Sequence, residues 1–208
     1  MRRTVIRIIA GSISIAAWIF VGFSLAGGLA PHLDSRPYEA SGRVVAGQAL
    51  ALLASGGEIT VIARDTSTFM NPATDIQLAS FRRAIGQANA TIRSVHPVQV
   101  DPLRAVQVPS GDFCEIIGHT GKGSVIVSFM GPPLLNPAER ARLGEIKPAI
   151  VAFCSGRMPE SADFRSLFDQ GLLRAAVVDR RDAEWNEQSL LTLTATDLAG
   201  VSARGGLK

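Results

Sequence analysis

The sequence predicts an α/β domain, built on a doubly wound and mostly parallel sheet with helices on both faces, that follows one N-terminal transmembrane helix. Three observations support this prediction. Five short runs rich in Val, Ile and Ala are separated by helix-length intervals, those intervals carry helix-capping residues, and a long uncharged segment opens the chain. We predict a signal anchor over 1–31, a linker over 32–41, the α/β domain over 42–200 and a tail over 201–208.

The N-terminal segment is basic at its start and then uncharged. Three arginines within the first seven residues precede a run from Ile8 to Pro31 in which no side chain carries a formal charge. A transmembrane helix needs about 20 apolar residues, and the positive-inside tendency places the basic end in the cytoplasm. We therefore predict a single-pass protein of the bacterial inner membrane, with its domain in the periplasm or at the cell exterior. A cleaved signal peptide, with small residues at Ser24 and Ala26, stays open as the alternative.

The predicted strands are short apolar runs. The third and fourth are nearly continuous in apolar residues, which is typical of strands covered on both faces of a parallel sheet. The second alternates between apolar and polar residues and is expected nearer an edge. The five runs are Ile59–Ala63, Thr91–Val95, Ser124–Phe129, Ala149–Phe153 and Arg174–Val178, and a weaker run, Leu190–Ala195, would add a sixth, edge strand.

The intervals between these runs carry helix signals. Thr74 and Gln77 have the spacing of a capping box, and Asn136 precedes a proline and an acid in the same way. Ser110 and Ser161 are predicted to cap two further helices, the second of which ends at Gly171. An apolar stripe before the first strand predicts one more helix: Val45, Ala49, Leu52 and Leu53.

The composition limits the partners that the domain can have. All 18 acidic residues and 18 of the 21 basic ones follow residue 31, so the domain is neutral and lacks the basic excess of a nucleic-acid binder. His32, His96 and His119 are scattered without the spacing of a zinc site, and we predict no metal and no other cofactor. Cys114 and Cys154 would lie in an oxidising compartment, where both a disulfide and two buried free thiols stay open.

A family resemblance rests on four segments: Ile59–Asp65 (ITVIARD), Asn71-Pro72 with the helix that ends near Ala88, Ser124–Phe129 (SVIVSF) and Ala149–Phe153 (AIVAF). Over residues 58–180 the chain resembles one lobe of the type I periplasmic binding proteins, the sugar-binding family related to bacterial repressors. That family encloses its ligand between two lobes, whereas this chain has residues for one. The resemblance therefore implies the fold of a lobe, and the closing mechanism of the family does not carry over.

Polar residues follow every predicted strand, and Arg and Asp recur among them. Ligands of open α/β sheets bind beyond the carboxyl ends of the strands, where arginine would hold an anionic or polyhydroxylated ligand through forked hydrogen bonds. The alternative is structural, with Asp–Arg pairs that tie the loops together. The candidate ligand-binding residues are Arg64, Asp65, Asp101, Arg104, Ser155, Arg157 and Asp179.

The segment that follows the third strand contains two prolines and two leucines. Prolines force an extended backbone there, so Pro132, Pro133, Leu134 and Leu135 would either present a docking edge to a partner protein or pack back on the next helix. We keep both alternatives.

The sequence contains no catalytic constellation. The glycine-rich stretch 118–124 has Gly123 where a P-loop needs Ser or Thr, and it opens a strand instead of a helix. Ser155 lacks the flanking glycines of a nucleophile elbow, and no histidine follows it in the chain. We therefore predict that the protein is not an enzyme. The leading hypothesis is an accessory or scaffolding subunit that binds a partner protein in a membrane assembly, and the alternative is a small-ligand binding domain.

Overall fold

A computed structural model describes residues 33–67, 70–100, 107–144, 147–156, 163–180, 185 and 189–197. The chain divides into two units, 1–34 and 35–208, and the elements below belong to the second. Within the described ranges, none of the helices has both the length and the hydropathy of a membrane span. The predicted anchor over 1–31 and the predicted tail over 201–208 lie outside these ranges, so both stay predictions.

The domain is built on one six-stranded sheet, which confirms the predicted α/β class. Five strands are parallel, and the sixth runs antiparallel to the fifth at one edge. The order across the sheet is β2-β1-β3-β4-β5-β6. The strands are β1 (Ile59–Arg64), β2 (Ile92–Val98), β3 (Val125–Ser128), β4 (Ala149–Cys154), β5 (Ala175–Asp179) and β6 (Leu190–Thr194).

Helices cover both faces of the sheet. They are α1 (Arg36–Leu52), α2 (Pro72–Gln87), α3 (Ser110–His119), α4 (Pro137–Arg142) and α5 (Phe164–Asp169). One apolar cluster joins α1 and α2 to the sheet through Val45 and Phe81, and a second joins α3 and α5 to the other face through Phe113 and Phe168. Because residues of a strand point alternately to the two faces and helices cover both, the inner strands β3 and β4 are apolar at nearly every position.

Residues 36–41, which we predicted as part of a linker, are helical and belong to α1. The helix packs closely on α2 at Gly42, where an added Cβ would meet the backbone oxygen of Gln77 and the Cβ of Ser80. Two hydrogen bonds join the helices at this point: Gln77 Nε2 donates to Ser41 Oγ at 2.8 Å, and Ser80 Oγ donates to the carbonyl of Glu39 at 2.8 Å.

Two of the predicted helix caps differ in the structure. The cap of α2 is Asn71, whose side chain accepts from the amide of Thr74, because Pro72 occupies the first helical position and starts the helix earlier than a cap at Thr74 would allow. Ser110 is the first residue of α3 and makes no capping bond; its hydroxyl donates to Glu139 Oε1 at 2.6 Å.

The other helix signals give one confirmed capping box and one shifted start. Asn136 accepts from the amide of Glu139, and the Glu139 carboxylate accepts from the amide of Asn136. Helix α5 begins at Phe164 with Asp163 as its cap, and Ser161, the predicted cap, lies outside the described residues. Gly171 follows α5 with a positive φ of 65°, as expected of a residue that ends a helix.

The sheet has two edges, β2 and β6. At the β2 edge, the amide of Asp65 donates to the carbonyl of Val98, so Val98 directs its backbone groups toward β1. Because residues of a strand alternate in this direction, Pro97 lies where a backbone N–H would point away from β1. Proline therefore removes a donor from the open edge and leaves the ladder to β1 intact.

Both cysteines are free thiols that belong to the same side of the core. Cys154 is fully buried at the end of β4, and Cys114 on α3 is partly buried. Of the two alternatives that the sequence left open, the structure contains the pair of free thiols.

Candidate functional site

The carboxyl ends of the five parallel strands lie along one edge of the sheet, as the predicted ligand site requires. Arg64 ends β1, Asp65 follows it, Ser155 follows β4 and Asp179 ends β5. Arg64 is partly buried, Ser155 is exposed and Asp179 is buried. The structure thus places these four residues on the predicted edge. Asp101, Arg104 and Arg157 lie outside the described residues, so their positions stay predictions.

The strand order reverses at β1, which lies between β2 and β3. The connection from β1 to β2 passes through α2 on one face, and the connection from β2 to β3 passes through α3 on the other. Such a switch point opens a crevice between the loops that follow the two strands, and ligands of open α/β sheets bind there. The loops that follow β1 and β3 are therefore the best candidates for a ligand-binding site.

The loop after β1 is polar and held by its own hydrogen bonds. The Asp65 carboxylate accepts from the amide of Ser67 at 2.9 Å, and Thr66 Oγ1 donates to Asp75 Oδ1 at 3.0 Å. The hydrogen bonds from Ser67, through its hydroxyl and then its amide, lower the pKa of Asp65, and a bond from the Gln99 side chain adds to them. Asp65 is therefore a fixed carboxylate at neutral pH, able to accept hydrogen bonds from hydroxyl groups.

The loop after β3 is apolar and mostly buried. Pro132, Pro133 and Leu135 are buried, whereas Leu134 is 38% exposed. Across the switch point, the loop after β1 carries Met70, which is 88% exposed. Of the four residues predicted to dock a partner, Leu134 is thus the one with an exposed side chain, and the docking role stays a prediction.

A groove that we did not predict lies between the edge strand β2 and helix α3, with a volume of about 390 Å³. We call it the β2–α3 groove. Ser94, His96 and Val98 line it from one face of β2, and Thr60 lines it from β1, where it is paired in register with Ser94. The other lining residues are Arg93, Pro97, Asp112, Glu115, Ile116, His119 and Thr120.

Hydrogen bonds within the groove engage some of its polar groups. Ser94 Oγ lies 3.0 Å from His96 Nε2, and His119 Nδ1 lies 2.9 Å from the carbonyl oxygen of Glu115. Thr120 Oγ1 donates to the carbonyl of Ile116 at 2.7 Å. In the described part of the chain, no group of three or more His, Cys, Asp or Glu side chains has an arrangement that would hold a metal ion.

Comparison with solved structures bears out the predicted resemblance at the level of the fold. A periplasmic ribose ABC transporter protein from Conexibacter woesei is similar over 81% of this chain and 60% of its own, with a TM-score of 0.54 and 11% identity. A protein described as a LacI transcriptional regulator, from Bacteroides fragilis, is similar over 78% of this chain and 61% of its own, with a TM-score of 0.53 and 10% identity. A solute-binding protein from Burkholderia graminis, in complex with D-arabinose, has a TM-score of 0.50 and 16% identity over 77% of this chain.

These similarities concern only part of the compared proteins. The chain spans about three fifths of the length of each of them. No family model matches the sequence, and no curated protein matches it. At this level of identity the likeness establishes the fold, an α/β domain of the type found in periplasmic solute-binding proteins and their regulator relatives.

Proposed function

We propose that the domain is a non-enzymatic binding domain that holds a small polyhydroxylated or anionic ligand at the carboxyl edge of its sheet. The observation that carries this proposal is the switch point between β1 and β3, with the fixed carboxylate of Asp65 beside it. Two of the similar structures support it, since they are described as a ribose transporter protein and as a complex with D-arabinose.

The residues at this edge suit the hydroxyl groups of a small sugar. Asp65 accepts hydrogen bonds, and Arg64 supplies a planar fork of donors that fits either paired hydroxyl oxygens or an anion. The buried Asp179 lies at the same edge, at the end of β5. Arg104 and Arg157 would add donors to the same edge, as the sequence predicts.

Ligand-dependent thermal unfolding of the full chain tests this proposal. We expect D-ribose or D-arabinose, or inorganic phosphate for the anionic case, to raise the Tm saturably. The double variant Arg64→Ala/Arg104→Ala should lose that rise while its Tm without ligand stays close to that of the parent. The control is Arg174→Ala, because Arg174 is an exposed arginine just before β5, at the amino ends of the parallel strands. The proposal is wrong if none of the three probes binds, or if the control loses the rise equally.

A second candidate function is the accessory subunit that binds a partner protein in a membrane assembly, tethered by the predicted anchor. The observation that favours it is the apolar exposure of Met70 and Leu134, which stand in the loops after the neighbouring strands β1 and β3. The membrane location and the orientation with an external domain belong to this proposal as predictions from the sequence.

Site-specific photo-cross-linking in native membranes tests the second candidate. A photoreactive residue in place of Leu134 should give one discrete adduct, because the partner would cover this edge. The matched control is the same residue in place of Leu191, which is equally exposed at 38% but lies on the edge strand β6. Absence of an adduct at position 134, or equal adducts at both positions, would count against a partner at this edge.

A further inference from the structure

We propose that the β2–α3 groove is a second binding site, for a small aliphatic ammonium compound such as a diamine or a polyamine. The groove lies along the side of the domain, between the edge strand and α3, and it does not involve Arg64, Asp65 or Asp179 of the carboxyl edge. The proposal is therefore independent of the function proposed above.

The first argument is the hydroxyl group of Thr60. Thr60 is 4% exposed and lines the groove, and its side chain has no hydrogen-bond partner among the described residues. The Thr60 hydroxyl is not among the fully enclosed unpaired polar atoms of the described residues, so it reaches the open volume of the groove. Thr60 lies on the inner wall, beside Ser94 of the neighbouring strand, so a ligand in the groove is well placed to satisfy it. An ammonium group has three N–H donors and would donate one of them to this oxygen.

The second argument is the charge of the opposite wall. Asp112 and Glu115 both line the groove from α3 and stand three residues apart, which brings them to the same side of the helix. Neither carboxylate has an ion pair or a side-chain hydrogen bond within the described residues. Arg93, which lines the groove from β2, is already paired with Glu58 at 3.3 Å, so it does not neutralise them. The groove therefore attracts a cation.

The third argument concerns the rest of the ligand. Pro97, Val98 and Ile116 give the groove an apolar part that suits a methylene chain. A volume of about 390 Å³ falls in the range of small-molecule sites. Acceptors on two opposite walls with an apolar part between them fit a short chain that carries an amine at each end.

Isothermal titration of the full chain with putrescine and spermidine tests this site. We expect saturable binding of at least one of them, and no binding of 1,4-butanediol, which keeps the chain and the hydrogen-bonding ends of putrescine but has no charge. The double variant Asp112→Asn/Glu115→Gln should weaken the binding roughly tenfold or more, because each lost carboxylate removes a charge-assisted hydrogen bond. Thr60→Val, which keeps the shape of the side chain, should weaken it several-fold.

The controls separate this site from other causes. Asp169→Asn removes an exposed carboxylate from α5, outside the groove, and should bind as the parent does. Arg64→Ala should also leave amine binding unchanged, whatever its effect at the carboxyl edge. If Thr60→Val does not fold, the proposal is tested by the double variant Asp112→Asn/Glu115→Gln alone. The proposal is overturned if neither amine binds, if butanediol binds equally well, or if the double variant binds as Asp169→Asn does.

Discussion

Replacing Gly42 by alanine should destabilise the domain, although alanine favours helices. An added Cβ would meet the backbone oxygen of Gln77, with the Phe81 amide nitrogen and the Ser80 Cβ 3.0 Å away, and none of these atoms belongs to a flexible side-chain end. Helix α1 would have to move from α2 by roughly 1 Å, since close-packed interiors have no room to absorb the atom. Overpacking of this kind costs about 3 kcal/mol at its upper range, against a gain of about 1 kcal/mol in helix propensity.

The expected net loss for Gly42→Ala is therefore about 2 kcal/mol in the free energy of unfolding. The matched control is Gly47→Ala in the same helix, where an added Cβ meets nothing within 4 Å and the expected change is a gain of about 0.5–1 kcal/mol. Urea denaturation followed by circular dichroism measures both variants. The two changes should have opposite signs. Equal effects of the two substitutions would refute the close contact between α1 and α2.

Two further predictions follow from shifted pKa values. Hydrogen bonds from the Ser110 hydroxyl and then from the Asn136 amide lower the pKa of Glu139. The ionised carboxylate therefore stabilises the folded state above its unfolded pKa of about 4.3, and this stabilisation is lost as the pH falls through the folded pKa. Glu139→Gln should thus be less stable than the parent at pH 7 and nearly as stable as the parent at pH 3, as measured by thermal unfolding at both pH values. Burial raises the pKa of Cys154 to about 12 and also raises that of Cys114. Iodoacetamide at pH 7.5 should therefore modify the partly buried Cys114 before Cys154, as followed by peptide mass spectrometry. Modification of Cys154 first would contradict this order.

The strands could be predicted from the sequence because their environment is uniform. β3 and β4 are covered by helices on both faces, so nearly every residue is apolar and the run stands out from its neighbours. The edge position of β2 could also be predicted, because its alternating residues match a strand with one open side. The weaker run at the end of the domain is an edge strand, β6, as predicted, whereas the sequence did not predict the order of the strands across the sheet.

The helix starts were harder to predict because several residue types compete for the same cap. Thr74 and Asn71 are both good caps, and Pro72 decided between them by fixing the first helical position. Ser110 was predicted as a cap, yet its hydroxyl is used by Glu139, 29 positions further along the chain. A local pattern cannot indicate such a distant partner.

The β2–α3 groove could not be predicted because its walls come from three separate segments. The spacing of Asp112, Glu115 and His119 does place them on one side of a helix. The facing of Thr60 and Ser94, however, depends on a register shift between Ile59 and Thr60 that no residue pattern indicates. The carboxyl-edge residues were predictable, since strand ends follow directly from the strands.

Pro97 has a consequence for how copies of this domain meet. An edge strand with unpaired backbone N–H and C=O groups can pair with a strand of another molecule, and repeated pairing would produce open-ended polymers. Pro97 is the last residue but one of β2, so a neighbouring strand would lack one N–H partner near the carboxyl end of β2. Pro97 therefore opposes strand addition at one position, while β2 remains an open edge of the sheet beside the groove.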